Sequence, residues 1–106
     1  MGAPPQLTLE ERRAALAKAA QSRKTRALFK SEVKSGERHW LDAFKSDDEA
    51  IKKMRVKELL ESLPGFGEIR AMNILERAGI SVSRRVQGVG RSQYETLLRL
   101  LKEVDR

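Results

Sequence analysis

The chain has 106 residues, enough for one domain or slightly less plus an arm, with a core that needs neither metal nor disulfide but has little to spare. It contains no Cys and a single His, His39, which excludes disulfides, thiolate zinc sites, His-rich metal sites and His-based catalytic triads. The formal net charge is +7 and the sequence pI is about 10.1, a balance that favours a polyanionic partner.

The charge is unevenly spread. Residues 9–36 carry eight Lys/Arg against three Asp/Glu, residues 37–63 six against seven, and residues 64–106 eight against five. No apolar run approaches the ~20 residues that span a bilayer, and Met1–Gln6 lacks the basic and apolar parts of a secretory signal. The expectation is a cytoplasmic protein with no membrane partner.

Pro4-Pro5 marks an extended lead-in. Thr8 followed by Glu11 is a capping-box pattern, and the Gly- and Pro-free stretch from Leu9 to Ser35 predicts one long helix ended by Gly36. Its large apolar residues are Leu9, Leu16, Leu28, Phe29 and Val33; alanines supply most of the rest and bury little surface. Ala14–Arg26 is therefore expected to be weakly anchored. With Lys18, Arg23, Lys24, Arg26 and Lys30 it reads either as a basic arm offering a second, diffuse contact or as a solvated helix.

His39–Phe44 predicts a short amphipathic helix in which Trp40, Leu41 and Phe44 anchor the core. Ser46 and Glu49 form a second capping-box pattern, opening a helix through Asp47–Met54. Val56, Leu59, Leu60 and Leu63 repeat on one helix face, which Pro64-Gly65 ends. Glu68–Arg77 resumes a helical pattern, with Ile69, Met72, Ile74 and Leu75 as its apolar positions and Gly79 as its stop. Ser81 is expected to cap a short turn through Val86, and Gly88-Val89-Gly90 to form another tight turn. Ser92 and Glu95 give a third capping-box pattern, opening a last helix with Tyr94, Leu97, Leu98 and Leu101 on one face. No stretch alternates with period two, so the chain reads as all-α: an N-terminal arm over 1–36 and a helical core over 37–106 with a hairpin at 60–71.

Leu60–Ala71 carries the strongest functional pattern. Leu63-Pro64-Gly65-Phe66-Gly67, with Ala71 four residues on, resembles a helix–hairpin–helix motif. Gly65 and Gly67 allow positive φ and close backbone approach to a phosphate. Phe66 is expected to pin the hairpin to the core, and Ala71 to let the two helices pack closely. The free N–H groups at the start of the second helix form a phosphate site. The alternative is a tight αα turn without a ligand. Ser83–Arg91 reads as a degenerate second hairpin, with Arg84 and Arg85 on an exposed turn, suited to phosphate contact or to a narrow minor groove.

Several stretches together resemble the actinobacterial integration host factors. They are Pro4–Thr8, the basic helix around Arg12–Arg26, Lys53-Met54-Arg55-Val56, Leu59–Pro64, Gly67, Ile80-Ser81 and Arg84–Gly90. The resemblance covers nearly the whole chain and is most specific from Lys53 to Gly90. It implies a helix–two-turns–helix core, related to that of a ribosomal small-subunit protein and of some glycosylases, beneath a long N-terminal lid helix. It also implies a nucleoid-associated protein, monomeric when free, that binds and bends duplex DNA with little sequence preference and assists a phage or host recombinase.

The residues expected at the interface are Lys53, Arg55, Lys57, Pro64, Gly65, Phe66, Gly67, Glu68, Ile69, Arg70, Arg84, Arg85, Gln87, Gly88, Gly90 and Arg91. Two depart from the family pattern. Glu68 stands where Lys is common and Gln87 where Arg is common, and both changes remove positive charge. A monovalent cation at the carbonyls near Leu63 and Phe66 is a further expectation; no other cofactor is. The competing function is an RNA-binding or ribosome-associated module with the same core. Catalysis is not expected: Asp47-Asp48-Glu49 is the only dense carboxylate group, and it sits at a predicted helix N-terminus, where acids are favoured structurally.

Overall fold

A computed structural model describes residues 8–104, with side chains to Lys102; the Pro4-Pro5 lead-in lies outside the described residues. The chain forms α1 (Leu9–Ser35), α2 (Asp42–Lys45), α3 (Glu49–Lys52), α4 (Val56–Glu61), α5 (Glu68–Ala78), a 3-10 turn at Val86–Gly88 and α6 (Arg91–Val104). The all-α expectation holds.

Helix α1 begins as its sequence dictates. Thr8 Oγ1 accepts the Glu11 amide at 3.1 Å, and Glu11 Oε1 accepts the Thr8 amide at 3.4 Å. Gly36 closes the helix with φ 85°. Every residue from Thr8 to Gln21 is exposed, Leu9 and Leu16 included, and Leu28 is exposed as well. Only Phe29 and Val33 of α1 are buried, where they pack into the main cluster. The helix is thus anchored at its C-terminal end and bare over the rest. At 1.5 Å per residue its 27 residues run about 40 Å, which accounts for a molecule of 57 × 31 × 24 Å.

The core is built from Met54, Val56, Leu59, Leu60, Leu75, Leu97 and Leu101, all fully buried, with Trp40, Ala43, Ile51, Ala71, Ile74 and Val86 around them. Trp40 meets Phe44 edge-on at 5.9 Å between ring centroids, and Phe44 meets Tyr94 at 5.1 Å. The expected core role of this segment is realised, although the helix itself starts at Asp42.

Two further N-termini differ from expectation. Helix α3 starts at Glu49, because Asp48 Oδ1 accepts the Ala50 amide at 2.9 Å, while Ser46 Oγ accepts only the Asp48 amide. A carboxylate one position before the helix displaces the hydroxyl as its cap. Helix α6 starts at Arg91 and not after Ser92: Gln93 Oε1 accepts the Gly90 amide at 3.0 Å, and the Gln93 amide group donates to Gly79 O at 2.8 Å. The same side chain therefore ties the start of α6 to the end of α5. Leu100, not counted among the apolar face of α6, is buried, while Tyr94 and Leu98 are only partly covered.

On α5, Ile74 and Leu75 are buried as expected, but Ile69 is 87% exposed and Met72 39%. Ala71 and Ala78 supply the other inward positions. Small residues there bring α5 against α4, and Ile69 and Met72 are turned outward.

Candidate nucleic-acid interface

Helices α4 and α5 are joined by a turn whose chemistry is written in Leu63-Pro64-Gly65-Phe66. The Phe66 amide donates to Leu63 O at 3.0 Å, and Gly65 has φ 78°. Proline at the second position and a positive-φ glycine at the third are the requirements of a type II turn. Gly67 is different: its φ is −107°, so the expectation of positive φ there is not met. A Cβ added at Gly67 would meet nothing within 4 Å. This glycine leaves the start of α5 uncovered and relieves no strain. Phe66 is buried, pinning the hairpin as expected, and the Arg70 guanidinium lies over its ring at 5.0 Å.

Helix α5 has no side-chain cap, in contrast to α1 and α3. Its first backbone bond runs from Ala71 N to Gly67 O at 3.1 Å. The N–H groups of Glu68, Ile69 and Arg70 precede that bond and lie at the positive end of an 11-residue helix. Glu68, the residue expected to spoil such a site, is held sideways: Lys57 Nζ sits 3.1 Å from Glu68 Oε1. Lys57 is therefore engaged in neutralising Glu68 and is not an independent cation of the surface.

Ser83–Gly90 does not repeat the hairpin. Neither Gly88 nor Gly90 has positive φ. Instead Arg55 and Arg85 face each other in an isolated antiparallel bridge, closed by Val56 N to Arg84 O at 3.0 Å and Val86 N to Met54 O at 2.8 Å. Ser81 O accepts the Arg84 amide in a turn, and the helical part follows only at Val86–Gly88. Both arginines are exposed, and each is steadied by one backbone acceptor. Arg84 Nη1 donates to Gly88 O at 3.1 Å and Arg85 Nη1 to Lys53 O at 3.3 Å. A Cβ on Gly88 would come within 3.2 Å of Arg84 Cδ, so this glycine leaves room for the arginine stem.

The bridge sets Arg55 opposite Arg85, whose guanidinium reaches the Lys53 carbonyl, while the Lys53 ammonium pairs with Glu49 at 4.0 Å. Lys57 joins α4 to the start of α5 through Glu68, and Ile69 and Val82 line one shallow groove with Glu68. Arg91 stands 93% exposed at the start of α6, with Glu95 at 3.5 Å, and Gln87 is exposed on the 3-10 turn. The basic residues of α1 are on a separate element; of those named, Lys30 is closest to the body and pairs with Glu58 at 3.9 Å. Sequence reasoning missed the bridge because two-residue pairing leaves no alternation to detect.

Residues 41–101 match the family described as S13-like H2TH domain. An integration host factor of Streptomyces coelicolor is 48% identical over 101 residues, spanning 93% of this chain and 94% of its own length. That of Mycobacterium tuberculosis is 42% identical over 96 residues, spanning 89% and 91%. A solved structure described as sIHF bound to an 8bp palindromic DNA has a TM-score of 0.73 and 43% identity, covering 82% of this chain and 97% of the other.

Proposed function

Because the chain belongs to the integration host factor family, we propose that it is a nucleoid-associated protein whose α4–α5 hairpin and Arg84-Arg85 turn clamp the backbone of duplex DNA. The observation that carries this reading is the uncapped start of α5, open at Gly67. The amides of Glu68, Ile69 and Arg70 receive a phosphate oxygen. Arg85, Arg84, Arg55 and Lys53 neutralise phosphates alongside, with Arg84 and Arg85 on fixed stems that cost little further ordering. A monovalent cation held by the Leu63 and Phe66 carbonyls would add positive field at the same place.

Backbone amides and short-tethered guanidiniums carry no base code, so sequence preference is weak and acts through deformability. The exposed Lys18, Arg23 and Lys24 of α1, with half-buried Arg26 and Lys30, add a diffuse second contact from the lid. The protein is monomeric when free, works in the nucleoid, and in recombination prepares bent DNA for a recombinase without catalysing a step. Mobility shifts on unrelated duplexes and on duplex RNA, over a salt series, test this. Similar, strongly salt-dependent affinities for all DNA duplexes are expected. Confinement to one sequence, or a clear preference for RNA, would contradict it.

A further inference from the structure

Resting on the DNA reading above, we propose that Ile69 is an apolar wedge that enters between base pairs when the hairpin seats, and that it sets a preference for easily unstacked steps. Apart from the exposed Pro64, the tip of the hairpin presents few side chains. Gly65 and Gly67 have none, and Phe66 is buried in the core. Glu68 is tied back to Lys57 at 3.1 Å, and Arg70 lies across the Phe66 ring at 5.0 Å. Ile69, by contrast, is 87% exposed, in the first turn of α5 among the very amides that take the phosphate.

Its form suits the task. Side chains of a helix lean toward the N-terminus, so Ile69 leans toward the phosphate site. A β-branched side chain in a helix has essentially one χ1 well, so little rotamer freedom is lost on insertion. Val82, 47% exposed, lines the same groove and lies two residues before Arg84, giving apolar contact between the two clamps. An amide clamp on one side, guanidiniums on the other and a stiff aliphatic group beside them is an arrangement that kinks a duplex toward its major groove. Pyrimidine–purine steps unstack most readily, so the wedge favours TA and CA steps at one position in the footprint.

The test uses the full chain and short duplexes carrying 2-aminopurine beside a single TA step, with a donor–acceptor pair at the ends. Wild-type protein is expected to raise the 2-aminopurine emission and shorten the end-to-end distance. Ile69→Ala should abolish both while weakening binding less than about tenfold, and Ile69→Met should restore both. Since the residue is exposed, each variant should melt with wild type, which separates loss of bending from loss of fold. Wild-type binding without unstacking, or an Ile69→Ala variant that bends and unstacks like wild type, overturns the wedge and leaves the DNA reading intact. A wild-type protein that binds no duplex overturns both.

Discussion

Arg55 and Arg85 stand opposite each other across a two-stranded bridge, and the Arg85 guanidinium donates to the carbonyl of Lys53, 32 positions away in the chain. Two like charges are brought together by the backbone bonds of Val56 and Val86, buried neighbours whose side chains fill the core. Burial of two valines thus holds a cationic surface together, against its own repulsion.

Arg85→Ala is expected to weaken binding to all duplexes about equally and to flatten the salt dependence, by about 0.9 in the log–log slope for each phosphate left unneutralised. Because the internal hydrogen bond it removes is exposed, stability should fall by no more than about 0.5–1 kcal/mol. Parallel salt titrations and thermal melts check both figures.

Gly65 and Gly67 should respond differently to alanine. At Gly65, with φ 78°, Ala is strained by about 1–2 kcal/mol, so Gly65→Ala should lower the melting temperature and binding together. At Gly67, with φ −107° and open space around the added carbon, Gly67→Ala should melt within about 0.5 kcal/mol of wild type yet bind DNA several-fold more weakly. Comparing the two separates turn geometry from access to the amides.

The Lys57–Glu68 pair predicts non-additive charge effects. Lys57→Met frees a carboxylate at the phosphate site and should cost more affinity than removing one isolated surface charge. Glu68→Gln should tighten binding, and in that background Lys57→Met should cost little. A double-mutant cycle on affinity measures the coupling, which is expected at about 0.5–3 kcal/mol, as for residues in direct contact.

Helix α1 should contribute to binding without contributing to stability through its basic face. Replacing Lys18, Arg23 and Lys24 by Gln is expected to leave the melt within about 0.5 kcal/mol per site, because these side chains are exposed. Affinity for long DNA should fall more than affinity for a duplex just covering the hairpin.

Much of the fold was legible in the residues. Thr8–Glu11, Gly36, the Pro64-Gly65 turn and the Val56–Leu63 face are local codes, and local physics decided them. Where two caps competed within three residues, as at Ser46 and Asp48 or at Gly90 and Ser92, spacing alone could not choose; the bonds actually formed, such as Asp48 to Ala50 and Gln93 to Gly79, did. The hairpin was readable, but the fate of Glu68 was not, because its partner Lys57 lies on another helix. Ile69 and Met72 share the apolar pattern of α5 with Ile74 and Leu75, but only the structure shows that Ala71 takes the contact with α4 and turns them out.

The proposed clamp uses the start of α5 and the arginine bridge together to hold the DNA backbone. Amide chemical-shift mapping of the 15N-labelled chain with a short duplex tests it most directly. The largest shifts are expected at Gly65–Arg70 and Ser83–Gly90, with downfield movement of the Glu68, Ile69 and Arg70 amides as they acquire a phosphate acceptor. Shifts confined to α1, or centred on Trp40 and Leu98 with the hairpin amides unmoved, would contradict the account.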